Sequence, residues 1–481
     1  MLRAILPEIL LIVLAALVMA VDLARPRGRQ QILGWMSAGG LGLILVASLV
    51  WAGPQTGTAP IFGGLVRNDF IAYVFRLLFL FSGLIVSILS TRTAGPRQEL
   101  RGQGEYYALV IVAVFGMNLM AMASDVIMLY LALETASLAL YLLAGFLCEN
   151  KSAEAGFKYF IFGAVAATIM VYGFSFLYGF TGQTNLYAIG AALAAHPVPA
   201  PLLTGAALLV LIGLGFKVAI VPFHFWAPDV YEGAPTPITA FISVASKAAG
   251  FAVLSRVMLA VFPAVQSYWV AFVMALAILT MTLGNLLALP QRNIKRLLAY
   301  SSIAQAGYAL VGLVVVSPAG LAATVFYLTM YTVTNLTAFG VVILVTRSTG
   351  SDDISSLAGL SRRSPTLALV LLVAFLSLAG IPPLGGFVGK FLVFAAAIQR
   401  GTMAYIALAV IGVLNSIVGL YYYLAVVRVV YLQRSETENE KLPVPRVYAA
   451  GLATCMAGIL LLGIWASPWI DWATAAAHSL F

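Results

Sequence analysis

The chain has 481 residues, of which 62% are apolar and only 9% charged, with a formal net charge of +9. Soluble domains carry about a quarter of their residues as charges, so this composition excludes a soluble globular enzyme and marks an integral membrane protein. The positive surplus is spread through short connections rather than gathered into a patch, which argues against nucleic acid as a partner.

Apolar runs of roughly 17 to 25 residues are long enough to cross a bilayer. They are predicted at 2–21, 32–52, 69–91, 106–123, 125–148, 157–180, 201–226, 236–262, 268–289, 294–316, 319–346, 365–398, 402–432 and 446–466. The reading is an all-α polytopic protein of fourteen spans. The first run holds Pro7 and Glu8 and is followed, not preceded, by arginines, so it reads as a span and not as a cleaved leader. Arg25, Arg27 and Arg29 follow span one, and Arg92, Arg97 and Arg101 follow span three. Lys151 and Lys158, then Arg292, Lys295 and Arg296, then Arg347, Arg362 and Arg363, then Arg428, Arg434, Lys441 and Arg446 mark later connections on that same side. This inside-positive alternation places both termini outside the cytoplasm, in a plasma (inner) membrane if the source is a bacterium.

Cys148 and Cys455 are isolated, and the histidines are only His196, His224 and His478, so no spacing fits a zinc, haem or iron–sulfur site. No glycine fingerprint stands between a strand and a helix, so no nucleotide-binding unit is expected. Four ionisable residues remain inside apolar spans: Glu134, Lys217, Lys247 and Lys390. Each costs about 3 kcal/mol at the bilayer centre unless paired or hydrated, which makes it a functional candidate by default. The alternative is a set of interhelical ion pairs or lysines that snorkel to an interface.

Lys217 follows "GLG" and Lys390 follows "GIPPLGGFVG", each just after an interruption of an apolar run. Broken membrane helices leave backbone groups unpaired, which is tolerable where they line a cavity, and matched breaks in two halves signal an inverted-repeat transporter core. A shift by about the 173 residues that separate these lysines lays span six near span eleven, with Tyr159 and Tyr327 in register. Two inverted five-helix repeats, each with a broken helix, are therefore expected. The divisions fall at 1–104 (a three-helix segment), 105–264 and 265–434 (the repeats) and 435–481 (a C-terminal helix).

Three segments carry a family resemblance: "KVAIVPFHFWAPDVYEGAPTPITAFISVASKAAGF", "QRNIKRLLAYSSIAQAGY" and "LAGIPPLGGFVGKF". They resemble the antiporter-like membrane subunits of respiratory complex I, which are also similar to subunits of multisubunit sodium/proton antiporters. The likeness covers roughly residues 105 to 430. It is nearest to the N type, with lysine at 390 where the M type has glutamate and no long lateral helix after span fourteen.

The resemblance implies proton translocation coupled to electron transfer elsewhere. NADH, FMN, iron–sulfur clusters and quinone would belong to the complex, with no cofactor or metal in this chain. K-type and M-type neighbours and lipids would be its partners. Glu134 and Lys217 would form a charge pair in the first half-channel, Lys247 would link the halves, and Lys390 would be the terminal site. His224, Lys158 and Lys295 match further polar-axis positions, and Asp229 and Glu232 would act as hydrogen bonders at a helix connection. A stand-alone cation/proton antiporter subunit is the alternative. A solute symporter would need midplane carboxylates, where this chain offers mostly amines.

Overall fold

The computed structural model describes residues 2–24, 31–54, 60–91, 102–435 and 440–481. Arg25, Arg27, Arg29, Arg92, Arg97 and Arg101 lie outside the described residues. The helices run α1 (Leu2–Ala24), α2 (Gln31–Trp51), α3 (Phe70–Ser90), α4 (Gln103–Met122), α5 (Val126–Ala144), α6 (Asn150–Thr181), α7 (Leu186–Ala195), α8 (Ala200–Val218), α9 (Trp226–Gly233), α10 (Thr236–Phe241) and α11 (Lys247–Val261). They continue as α12 (Gln266–Ala288), α13 (Ile294–Val314), α14 (Pro318–Thr349), α15 (Leu360–Arg363), α16 (Pro365–Ala379), α17 (Gly385–Gln399), α18 (Met403–Leu432), α19 (Arg446–Ile464) and α20 (Ser467–His478). A π-helical turn, Ile242–Ser246, fuses α10 and α11 into one spanning element. Among the described residues thirteen helices are long and apolar enough to cross a membrane, and the shorter α16 and α17 together cover the apolar run expected at 365–398.

Polar caps delimit these elements where the apolar pattern alone would let them run on. The Asp69 side chain accepts from Ala72 N at the start of α3, and that of Asp125 from Ile127 N and Met128 N at the start of α5. Asn185, Asn293 and Ser317 do the same for α7, α13 and α14. Gly182 and Gly350, with φ of 64° and 70°, end α6 and α14 in the left-handed conformation that glycine adopts without steric cost.

The interruption expected before Lys390 is present, but the one expected at "GLG" before Lys217 is not: those glycines are helical and the chain breaks after the lysine instead. α8 stops at Val218, where Ala219 turns left-handed at φ 58°, and the helical path resumes only at Trp226. The apolar run 201–226 is therefore a helix plus an irregular bend, not one span. Two bonds tie the bend to its surroundings: Trp226 Nε1 donates to Phe216 O at 3.1 Å and Val221 N to Thr280 Oγ1 on α12 at 3.1 Å. α16 ends at Gly380, φ 90°, and Gly386 N donates to Ser377 Oγ at 3.1 Å as α17 begins. Short helices α7, α15 and α20 lie outside the predicted spans, and α9 begins on the last residue of one. α20 follows the final span and packs on α14 and α3.

One internal correspondence is strict. α6 and α14 each have 32 residues and end on a left-handed glycine. Bridges join Asp125 to Asn185 and Asn293 to Asp353, so each pair lies 60 residues apart, and the second pair follows the first by 168. Tyr159 and Tyr327 share that offset. The left-handed residues at the two breaks, Ala219 and Gly380, differ by 161 and the lysines by 173, so Lys217 lies before its break and Lys390 after its own.

Candidate functional site

The three midspan lysines are buried, at 2% exposure for Lys217, 2% for Lys247 and 6% for Lys390, and none takes part in an ion pair among the described residues. Lys217, in the last turn of α8, donates to Ser137 Oγ on α5 at 2.9 Å. Beside it lies a void of about 10 Å³, bordered by Ser137, Tyr141, Gly163, Met170 and Gly213. That is room for about one water. Glu134 lies one turn before Ser137 on α5, half-buried, close enough to act electrostatically on Lys217 but not in direct contact with it. A serine, not the carboxylate, holds the ammonium.

Lys247 follows the π turn and donates to both Ser302 O (2.7 Å) and Ser302 Oγ (2.8 Å). The Tyr231 ring lies 5.9 Å from the same ammonium. Lys390 donates to Ala379 O at 3.0 Å, the last carbonyl before the second break, and sits 4.6 Å from the centroid of Tyr308. Gly380 makes room for it, because a Cβ there would lie 2.9 Å from Lys390 Cδ.

One helix joins the last two sites. α13 gives Ser302 to Lys247 and Tyr308 to Lys390, six residues or about 9 Å apart along its axis. Between them Gln305 donates to Leu378 O (3.2 Å) and Tyr423 OH (3.2 Å) and accepts from Tyr327 OH, while Ser301 bonds Tyr423 OH. Asn335 Oδ1, also buried, has no protein partner among the described residues, while Asn335 Nδ2 donates to Ser243 Oγ at 2.6 Å. Unpartnered polar atoms are rare in folded interiors unless water serves them.

Residues 123–417 match the family model described as NADH:quinone oxidoreductase/Mrp antiporter, TM. NADH-quinone oxidoreductase subunit N of Moorella thermoacetica is 42% identical over 477 residues, covering 98% of each chain. The chain belongs to the NADH-quinone oxidoreductase subunit N family. Among solved structures, a chain of respiratory complex I from Thermus thermophilus with bound aureothin is 35% identical with a TM-score of 0.79, covering 97% of this chain and 98% of that one. A chain of the Mrp complex from Dietzia sp. gives a TM-score of 0.86 at 22% identity, covering 100% of this chain and 98% of that one, and speaks for the fold alone.

The remaining candidates of this subunit N family member fall into two places. His224 lies in the bend after α8, 6% exposed. Lys158 stands away from the buried lysines: its ammonium pairs with Glu154 and Asp229, each at 2.7 Å, in a cluster where Arg296 also holds Asp229 and Glu232 at 2.8 Å and Lys151 holds Glu232 at 2.7 Å. Burial pushes the Asp229 and Glu232 carboxyls up, but hydrogen bonds from Lys158 and Arg296, and from Lys151 and Arg296, outweigh it and hold both below their usual range. Lys295 is buried, pairs with Asp352 at 3.2 Å and donates to Ala234 O at 3.3 Å. Residue-by-residue inspection for charges could not single out Ser137, Ser302, Gln305 or Tyr308. The run "SSIAQAGY" inside an otherwise apolar span was the available signal.

Proposed function

We propose that this chain is a non-redox, proton-translocating membrane subunit of an NADH:quinone oxidoreductase, passing protons along Glu134, Lys217, Lys247 and Lys390. The observation that carries the reading is the continuity of polar side chains on α13 between two buried lysines that lack a carboxylate partner. A structural lysine at membrane depth would be neutralised by an ion pair. Lysines held by hydroxyls, carbonyls and aromatic faces keep a stabilised ammonium without a fixed counter-charge, so the proton can leave.

Burial disfavours an ammonium and a nearby carboxylate favours it. Movement of Glu134 toward or away from Lys217 therefore alternates holding and release. Carrying one charge through the membrane potential involves about 2.3 kcal/mol per 100 mV, comparable to one or two units of pKa. The hydroxyls of Ser302, Tyr423 and Tyr327 and the Gln305 amide between Lys247 and Lys390 are the groups that water would complete into a relay. We place two inverted five-helix repeats at 105–264 and 265–434, flanked by 1–104 and 435–481. The matched caps and bridges 168 residues apart support this division.

Electron transfer through FMN, iron–sulfur clusters and quinone is assigned to other subunits. Glu134 sits half-buried among outward-facing Leu131 and Leu138, 56% and 50% exposed, which supports a polar membrane neighbour on that face, of the K type, with an M-type subunit and lipids elsewhere. The termini are placed on the non-cytoplasmic side. Purification of the tagged chain from its native membrane decides between this reading and a stand-alone antiporter. Co-elution with flavin- and iron–sulfur-bearing subunits is the expected result, and a complex free of both refutes the assignment.

A further inference from the structure

A second set of buried charges lies off the lysine axis. Arg256, 2% exposed, stands on α11 nine residues beyond Lys247, about 13 Å along the helix. Its Nη1 donates to Asp69 Oδ2 (2.6 Å) and Tyr187 OH (2.8 Å), and its Nη2 to Asp69 Oδ1 (2.8 Å) and Ala121 O (2.9 Å). Asp69 Oδ1 also accepts from Ala72 N at 3.0 Å. The Arg67 guanidinium lies 4.0 Å from the Tyr187 ring centroid.

The surrounding backbone is stitched across the same end of the bundle. Arg67 N donates to Met122 O, Ser124 N to Leu65 O, Val126 N to Thr184 O and Leu186 N to Ser124 O, at 2.8 to 3.0 Å. Asn185 Nδ2 adds a bond to Gly64 O at 2.8 Å. The start of α3, the end of α4, the start of α5, α7 and the later turns of α11 thus converge on one closed end, beyond Lys247 and away from the Asp229 cluster.

We propose that Arg256, fixed by Asp69 and Tyr187, is a proton seal that closes the first half of the molecule on this side. The proposal rests on the translocation reading and adds a function to residues that reading does not use. Two properties make the cluster a barrier and not a relay. Both Asp69 oxygens are occupied by charge-assisted or backbone bonds, so the carboxylate offers no ready site for a proton. The guanidinium keeps its charge at any accessible pH, so it opposes the approach of a second positive charge in a low-dielectric bundle, as arginines do in proton-excluding pores. A buried ion pair that merely clamps helices would need its hydrogen bonds, whereas a seal needs the positive charge.

The test uses the purified, reconstituted complex with no electron donor present, following the collapse of an imposed pH gradient with an entrapped dye. Arg256→Gln should raise passive proton leak on the order of tenfold, the factor that goes with 1.4 kcal/mol of barrier. Potassium leak should stay at the parent level. Arg256→Lys should remain tight, and adding Lys217→Met to Arg256→Gln should restore tightness, because the leak then lacks its path. If Arg256→Gln does not assemble, Tyr187→Phe, which unties one guanidinium bond but keeps the positive charge, should remain as tight as the parent, and a leak in it overturns the seal by assigning the barrier to the hydrogen bonds. Parent-like tightness in Arg256→Gln, or a leak that carries potassium equally, also overturns the seal. Failure of the parent complex to pump during NADH oxidation would instead refute the translocation reading, independently of this measurement.

Discussion

Substitution at Lys390 separates a proton carrier from a fixed charge. Its ammonium has a charge-assisted bond to Ala379 O at 3.0 Å, a kind of contact that contributes about 1.5–3 kcal/mol, and lies 4.6 Å from the Tyr308 ring, where a desolvated cation gains about 2 kcal/mol. Arginine supports both contacts, so Lys390→Arg should assemble as the parent does on a native gel. Arginine cannot shed its proton: with a pKa above about 12, its neutral fraction at pH 7 is below roughly 10⁻⁵. A cycle that needs the neutral side chain therefore slows by orders of magnitude although every contact survives. Lys390→Glu keeps a titratable group and should retain partial pumping. Lys390→Met loses both the contacts and the proton, and should pump no better than Lys390→Arg. Proton uptake into proteoliposomes, read with a pH-sensitive dye and normalised to assembled complex, gives the comparison. Parent-level pumping by Lys390→Arg would show that the residue is an anchor and that protons leave elsewhere.

Glu134→Gln should depress pumping and quinone reduction together while electron transfer from NADH to an artificial acceptor at the flavin persists; unimpaired coupled pumping in the assembled complex refutes its coupling to Lys217. Gly380→Ala places a methyl 2.9 Å from Lys390 Cδ at φ 90°, which costs about 1–3 kcal/mol in backbone strain alone, and should lower pumping with quantity of complex compared on a native gel. Cysteines at Lys151 and Ser351 should react with an impermeant maleimide only from the cytoplasmic face, and labelling from the opposite face overturns the topology. Asp229 and Glu232 titrate below their ordinary range in the folded chain, so the stability they add is present above about pH 4 and is lost as pH falls through the folded values. Thermal unfolding of the detergent-solubilised complex between pH 6 and 3 should therefore lose a smaller increment in Asp229→Asn/Glu232→Gln than in the parent.

The lysines and the break before Lys390 were legible in the sequence because the bilayer makes them costly. A charge in an apolar run, or a glycine–proline interruption of one, stands out against an environment that penalises both by several kcal/mol. The groups that hold those lysines were not legible for the same reason inverted. Serine, glutamine and tyrosine are cheap enough in membrane helices to pass as packing residues, and only the crossing of α13 against α11, α16 and α17 turns Ser302 and Tyr308 into ligands for an ammonium. The Glu134–Lys217 relation shows the limit of reasoning by charge: attraction predicts contact, but Ser137 on the next turn holds the ammonium instead. Lys158 shows a limit set by length. At 32 residues α6 is about 48 Å long, against roughly 30 Å of hydrocarbon, so its first turns reach beyond the apolar layer. A lysine nine residues into that helix can therefore meet Asp229 and Glu154 at the edge of the bundle, whereas Lys217, seventeen residues beyond the start of a 19-residue helix that ends within the bundle, has only what the interior offers. On the translocation proposal, depth, more than the presence of charge, separates the lysines that lack a carboxylate partner from those, like Lys158, that have one.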